Sequence, residues 1–358
     1  MMPDADKASN MQAENEQNAL SANERIDRFL TARSTIYREL IGIRKKGWQS
    51  VEGDRFFEDQ RSVADNADDQ TVKYLYRLMK HVGQQLQRAT NAFTIKTEGA
   101  SIDGRRILDM CAAPGGFLGA ALEQNPGSQA LAFSLPMEVG GHKMLLEPDA
   151  SATITWADIT MFAADMGVEE DIPESHPDHI NFLPRQVQDD QKFDLVMCDG
   201  KVLRTHSRAD YRAQRETRRL SSTQLALGLE HLKSGGTMII LLHKPEMWSS
   251  LHLIFEFSKF ATIQLFKPPS AHAKRSSFYL VATGIQTEQP EVSRLIAEMK
   301  HMWKIATFGT DAEYSAAVRE TETGVETVLQ QFGERLIKLA GPVWKTQEKK
   351  LREAEFNQ

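Results

Sequence analysis

The sequence predicts an α/β protein: a parallel-type sheet with helices on both faces, extended by helices at either end. Three observations carry this. Between residues 105 and 286 short apolar runs alternate with amphipathic segments, the pattern of strand–helix–strand units. Outside that region the apolar spacing is helical only. Within it, a strand ending in an acid runs directly into a Gly-rich turn and a helix start, at Asp109 to Gly116.

Taken in order, residues 1–20 are expected to form a disordered tail, being poor in large apolar residues and rich in Asn, Gln, Ser, Asp and Glu. A helical N-terminal segment, 21–98, follows. Ile26, Phe29, Leu30, Ile36 and Leu40 predict one amphipathic helix over about Ala22–Ile43. A polar stretch around Glu58–Asp69 separates it from a second helix, marked by Val72, Leu75, Leu78, Met79, Val82 and Leu86. The α/β domain, 99–286, opens with a strand at Arg106–Met110 and a helix over Gly116–Glu123. Ala130–Ser134 and Ala152–Trp156 read as the next two strands. Phe193–Cys198 is a fourth, followed by a helix over Ser221–Leu232, and Thr237–Leu242 a fifth, followed by a helix over Trp248–Phe260. Ile263–Phe266 and Ser277–Thr283 complete seven. Such sheets bind ligands at the carboxyl ends of their strands, near the topological switch point. The C-terminal extension, 287–358, holds one helix marked by Val292, Leu295, Ile296, Met299, Met302 and Trp303. A second, marked by Val325, Val328, Leu329, Phe332, Leu336, Ile337 and Leu339, is expected to end at Gly341–Pro342. These stripes are packing faces, covering either the sheet or a protein partner.

Apolar residues make up 41% and charged residues 26% of the chain, the balance of a soluble globular protein. The longest clear apolar run, Met238–Leu242, is strand-sized, so no membrane span is expected. The N-terminus lacks the apolar core of a secretory signal and the Arg-rich character of a transit peptide. With only two cysteines, Cys111 and Cys198, the expected setting is reducing, cytoplasmic or nuclear. The net charge of −6 excludes a generally basic nucleic-acid binder. Local charge differs: Lys201 to Arg219 holds seven Lys/Arg against two acids. Alone, such a run reads as a solvated face.

The sharpest signal is Ile107-Leu108-Asp109-Met110-Cys111-Ala112-Ala113-Pro114-Gly115-Gly116-Phe117. Small residues let the backbone approach a ligand, and a helix N-terminus offers free N–H groups. The missing G-x-G-x-x-G spacing argues against a dinucleotide site. This run resembles the first motif, D-x-x-A-A-P-G-G, of the FtsJ-like RNA methyltransferases. Sun-type cytosine methyltransferases share it but place a catalytic cysteine after Asp-Ala-Pro; here Cys198 precedes Asp199 and no Pro follows, so Cys198 reads as a small buried filler.

The resemblance spans roughly residues 72–286. It implies a Rossmann-like seven-stranded methyltransferase sheet and S-adenosyl-L-methionine as cofactor, with no metal. The turn Asp109, Cys111, Ala112, Ala113, Pro114, Gly115, Gly116 and Phe117 would hold the methionine part. The second strand end, usually acidic, offers Ser134 and Leu135. Asp158 and Ile159 would meet the adenine, although Asp158 reads equally well as a helix N-cap. Asp199 would border both cofactor and substrate.

The family's Lys-Asp-Lys-Glu tetrad maps onto Asp199 and Lys244, at the ends of the fourth and fifth strands. The first Lys is either Lys80 or Lys96, of which Lys80 lies on a predicted helix. In the Glu position this chain has Ser277, before the matching Tyr279-Leu280-Val281-Ala282-Thr283-Gly284 ending. A ribose hydroxyl must lose its proton as the methyl arrives, and a Lys accepts it only if its pKa falls towards neutrality. Desolvation or a second cation does that, while a carboxylate opposes it. Asp199 would therefore orient Lys244, and the second Lys supply the cation. These roles imply ribose 2′-O-methylation of an RNA, with phosphates met by Lys201–Arg219 and Lys267–Arg275 and bases by Tyr211 or His272. The departures at Ser134 and Ser277 leave two alternatives open: a cofactor-binding pseudoenzyme acting as an RNA scaffold, or a methyltransferase for a non-RNA substrate.

Overall fold

The computed structural model describes residues 20–65, 68–96, 104–147 and 151–357; residues 1–19, which hold most of the expected disordered tail, lie outside them. Strands β1 (Arg106–Asp109), β2 (Gln129–Ser134), β3 (Ala152–Trp156), β4 (Phe193–Cys198), β5 (Leu232–His243), β6 (Thr262–Phe266) and β7 (Ser277–Thr283) form one sheet in the order β3-β2-β1-β4-β5-β7-β6. β3 through β5 pair in parallel. β7 runs antiparallel between β5 and β6, so the sheet is mixed. The reason is the connection: β6 and β7 are joined by a loop without a crossover helix, and only an antiparallel partner is reachable that way. The chain reverses direction across the sheet between β1 and β4, which puts the switch point at the ends of Asp109 and Asp199.

Side chains alternate across a strand, and this sequence builds a core on each face. Ile107, Leu195, Met197, Ile239, Tyr279 and Val281 face one side. Leu108, Val196, Cys198, Met238, Ile240, Phe278 and Leu280 face the other. The helices are α1 (Ala22–Arg33), α2 (Thr35–Trp48), α3 (Val51–Asp65), α4 (Asp69–Thr90), α5 (Gly116–Gln124), α6 (Glu216–Glu230), α7 (Trp248–Phe260), α8 (Pro290–Phe308), α9 (Asp311–Thr321) and α10 (Val325–Arg352). α4 and α5 cover the first face through Val82, Leu86, Phe117 and Leu118. The second face is covered by α6, α7 and α8, and around them by α1, α2 and α10. The predicted apolar stripes of the C-terminal extension thus pack within the chain.

Four sequence expectations need correction. The helix over Ala22–Ile43 is two, because Ser34 takes an extended conformation and its hydroxyl caps α2 by accepting from the Tyr37 N–H. The polar stretch from Glu58 falls within α3 up to Asp65. α9 has no buried residue and so no stripe to reveal it. Gly341–Pro342 does not end α10, which continues to Arg352. Proline removes one helix bond, but Val343, Trp344, Gln347 and Leu351 continue the buried face past it. Among the described residues no helix is long and apolar enough to cross a membrane.

Trp344 shows how firmly the flanks join the sheet. It is fully buried, lies 5.1 Å from the Tyr37 ring of α2, and donates its indole N–H to Glu246 at 3.0 Å. Trp344→Ala is expected to lower unfolding free energy by about 3–5 kcal/mol in a denaturant titration. A value near zero would mean that α10 docks only loosely.

Candidate active site

The turn after β1 is sewn to its neighbours by its own backbone. Asp109 accepts the Cys111 N–H at 3.1 Å; Ala112 donates to the Phe133 carbonyl at 2.9 Å, and Ala113 to the Ser134 hydroxyl at 3.3 Å. Ser134 therefore anchors the turn to β2. Gly115 turns the chain into α5 with φ +98°. At Gly116 a Cβ would fall 2.0 Å from the Tyr76 carbonyl oxygen, so α4 rests on bare backbone there. At Gly200 a Cβ would fall 2.2 Å from the Cys111 sulfur, so the ends of β1 and β4 touch at that point.

These contacts frame a cavity of about 250 Å³, whose walls include Cys111, Ala113, Pro114, Ser134, Leu135, Asp158, Ile159 and Asp199. Asp109, Ala112, Gly115, Gly116 and Phe117 lie behind that wall rather than in it. Phe117 is the clearest correction: its ring is buried between Phe93 and Tyr279, at 5.1 and 5.5 Å, and packs the core instead of lining the cavity. Unforeseen wall residues include Leu75 and Met79 of α4 and Lys201. Burial lifts Asp199 to about 7 against the pull of Lys201, and burial with Asp199 lifts Asp109. Asp109 Oδ2 is buried without a hydrogen-bond partner. Two crowded carboxylates beside an apolar slot formed by Leu135 and Ile159 suit a guest with a cationic end and a flat ring, as S-adenosylmethionine has.

Asp158 does cap a short helical turn: its Oδ1 accepts the Thr160 N–H at 3.0 Å. Its Oδ2 is bound by Arg212 at 2.6 Å, with His206 at 3.4 Å. Burial pushes its carboxyl up, but His206 and Arg212 outweigh burial and hold it below the usual carboxylate range. Asp158, His206 and Glu216 could geometrically share a metal ion. Arg212 already occupies that position, reaching Glu216 at 2.5 Å.

This cluster removes three of the seven basic residues from the expected phosphate-binding run Lys201–Arg219. Arg212, Arg215 and Arg219 are buried. They are bound by Asp158 and Glu216, by Asp311, and by Thr307 and the Thr160 carbonyl. Tyr211 donates to Asp178 at 2.9 Å and is not a base platform. Lys267 is likewise buried, its ammonium donating to the carbonyls of His272, Arg275 and Ser277. It holds the β6–β7 loop together.

The lysines sort differently from the sequence reading. Lys80 pairs with Glu123 at 2.5 Å, on the α4–α5 flank. Glu123 holds its ammonium above the usual lysine value, the wrong direction for a base. Lys96 is exposed in a loop. Neither lines the cavity. Lys201, two residues after Asp199, does. Although much of Lys201 remains exposed, the protein packed round its ammonium, and then Arg275, bring it down to about 8. Its signal in the sequence was adjacency to the strand-end acid, not a helix ahead of the first motif. Lys244 ends β5 in a left-handed conformation, φ 52°, and its N–H donates to the Ser276 carbonyl at 2.9 Å. Burial and Arg44 lower its pKa from the ordinary 10.5, with Glu246 opposing. Lys201, Lys244 and the buried Ser277 line a second cleft of about 480 Å³, together with Arg44, Lys274 and Arg275. Five basic side chains line it against one lining carboxylate, Asp54, and of the five Arg44 is neutralised by Glu246. The two cavities meet at Lys201.

A Rossmann-like sheet with a small-residue turn at its switch point, a strand-end acid beside it and a pocket of about 250 Å³ against both fits the S-adenosylmethionine-dependent methyltransferase class. The profile of the FtsJ-like methyltransferases matches residues 85–285, more than half of the chain, and the chain belongs to that family. It is also similar to a TehB-like SAM-dependent methyltransferase from Corynebacterium glutamicum, at 15% identity and TM-score 0.30 over 64% of this chain and 97% of that one. Human methyltransferase-like protein 13 in complex with SAH gives 12%, TM-score 0.33, and 62% and 91% coverage. An rRNA methylase from Streptococcus thermophilus gives 12%, TM-score 0.29, and 51% and 89% coverage.

Removing Arg212 leaves Asp158 and Glu216 facing each other underground. Arg212→Ala is expected to cost about 3–5 kcal/mol of stability, read by denaturant unfolding. Unchanged stability with weakened RNA binding would return Arg212 to the surface role read from sequence.

Proposed function

We propose that this protein methylates a ribose 2′-hydroxyl of an RNA, with Lys244 as general base. The observation that carries the reading is that Lys201 lines both the pocket walled by Asp199 and the cation-lined cleft walled by Lys244. The turn from Cys111 to Pro114, with Ser134, Leu135, Asp158, Ile159 and Asp199, would hold S-adenosylmethionine, which supplies an electrophilic methyl group when bound. Lys244 sits at a fixed strand end with its pKa lowered, so its amine can accept the hydroxyl proton. Lys201 takes the place first sought at Lys80: a cation beside the forming alkoxide, which it stabilises electrostatically. Asp199, between the turn and Lys201, orients that ammonium. Ser277 supplies a neutral hydroxyl where the family pattern has Glu. In-line placement of hydroxyl and methyl, set by the rigid strand ends, contributes the rest of the rate. Phosphates on either side of the target would meet Lys274 and Arg275.

The test combines methyl-labelled S-adenosylmethionine, total RNA and nuclease mapping. Label at ribose 2′-oxygen is expected with wild type. Lys244→Ala should lower kcat by about 10²–10⁴-fold and Lys201→Ala should also lower it, whereas Lys80→Ala should leave it near wild type. Cofactor binding without RNA label under any condition would sink the reading.

The rate should also follow pH. Lys244 must be deprotonated to act, so kcat rises with pH and levels off above its folded pKa, which lies below 10.5. A rate that falls as pH rises from neutrality would exclude a lysine base.

A further inference from the structure

The far wall of the cationic cleft comes from outside the family's matched region. α2 contributes Arg44, α3 contributes Phe57, and the chain beyond α10 contributes Phe356. Phe57 and Phe356 are both partly exposed, with ring centroids 5.8 Å apart and planes tilted by 59°. Phe56 braces them from behind, at 5.2 Å from Phe57 and 5.1 Å from Phe356. The Lys274 ammonium lies 4.5 Å from the Phe56 ring centre and 5.8 Å from that of Phe356. Lys201, Lys244 and Ser277 line the same cavity.

Aromatic rings bordering a cleft with an excess of positive charge ask for a ligand that is flat and apolar at one end and anionic at the other. A nucleotide has both. An acidic peptide would satisfy the cations and leave the rings unused. We propose that Phe57 and Phe356 form a nucleobase site, one ring stacking on the base of the methylated nucleotide or its neighbour and the other, tilted by 59°, meeting that base edge-on, while Lys274 and Arg275 take the adjoining phosphate. This rests on the RNA reading above. Stacking is tolerant of base identity, because every base has a π-face, so the site holds the strand without reading its sequence. It replaces Tyr211 and gives the N- and C-terminal helices a share in substrate binding.

The experiment is fluorescence anisotropy with a labelled single-stranded oligoribonucleotide, beside calorimetry of S-adenosylmethionine as a control for folding. Phe57→Leu with Phe356→Leu keeps apolar volume but removes the rings. The pair is expected to weaken RNA binding about tenfold or more while cofactor affinity and the salt slope stay as in wild type. Lys274→Gln with Arg275→Gln should instead flatten the salt slope. Phe57→Trp, which keeps a stacking face, should retain RNA affinity even if the leucine pair perturbs folding. RNA affinity unchanged in the leucine pair overturns the nucleobase site and leaves the function reading standing. Wild type that binds cofactor but no RNA overturns both. A glutamate-rich peptide that binds the cleft and depends on the same two rings would also overturn the nucleobase site, as a protein-docking surface.

Discussion

The buried contact between Arg44 and Glu246 is the joint on which the walls of the cationic cleft hang. Arg44 reaches Glu246 at 2.5 Å and Gln347 at 2.6 Å, and Glu246 also accepts from Trp344. Gln347 in turn donates to the Lys274 carbonyl and the Ser276 hydroxyl. Four distant parts of the chain therefore meet: α2, the loop after β5, α10 and the β6–β7 loop. Each borders the cationic cleft. An isolated buried ion pair is weak support for stability, because desolvation offsets the attraction. Here both terminal nitrogens of Arg44 are hydrogen-bonded, to Glu246 and Gln347, while its Nε is buried without a partner, and the consequence of the pair is positional. It fixes the loop carrying Lys244 against the helices that wall the cleft.

The same joint sets the electrostatics. Glu246 raises the pKa of Lys244 and Arg44 lowers it, so the pair together leaves burial as the main influence. On the cofactor side the logic inverts. Asp109 and Asp199 crowd one another at adjacent strand ends and are both pushed up. A cationic guest relieves that crowding. The molecule thus holds a carboxyl-lined pocket and a cation-lined cleft in contact at Lys201.

Much of this was legible in sequence because it is local. Alternation along Ile107-Leu108 and Leu195-Val196-Met197-Cys198 gives strands with two buried faces, and the run Asp109 to Gly116 gives a strand, a turn and a helix start within a few residues. What was not legible depends on partners distant in the chain. Arg212, Arg215 and Arg219 look like a basic face until Asp158, Thr307 and Asp311 are seen beside them. Lys80 was placed on the correct helix, but its direction is set by Gly116 seating α4 on the turn, which aims Lys80 at Glu123. Pro342 looked like a stop because the buried face that carries α10 past it is completed by contacts with α2 and the loop after β5.

Ser277 was the departure that most threatened catalysis in the sequence, and the geometry gives it a different weight. Ser277 pairs with His243 across β7 and β5, one residue from Lys244. A glutamate there would add a second carboxylate near Lys244, along with Glu246. Carboxylates favour the ammonium form, and so would hold Lys244 protonated at neutral pH. A serine removes that pull while keeping a hydrogen-bonding group on the rim. The lost charge also leaves the cleft more cationic, which favours a polyanionic substrate. The cost falls on orientation: with no carboxylate at that position, any guest in the cleft is positioned by neighbouring groups on its wall. That shift fits a protein whose terminal segments, clamped by Arg44, place Phe57 and Phe356 on the same cleft as Lys201 and Lys244.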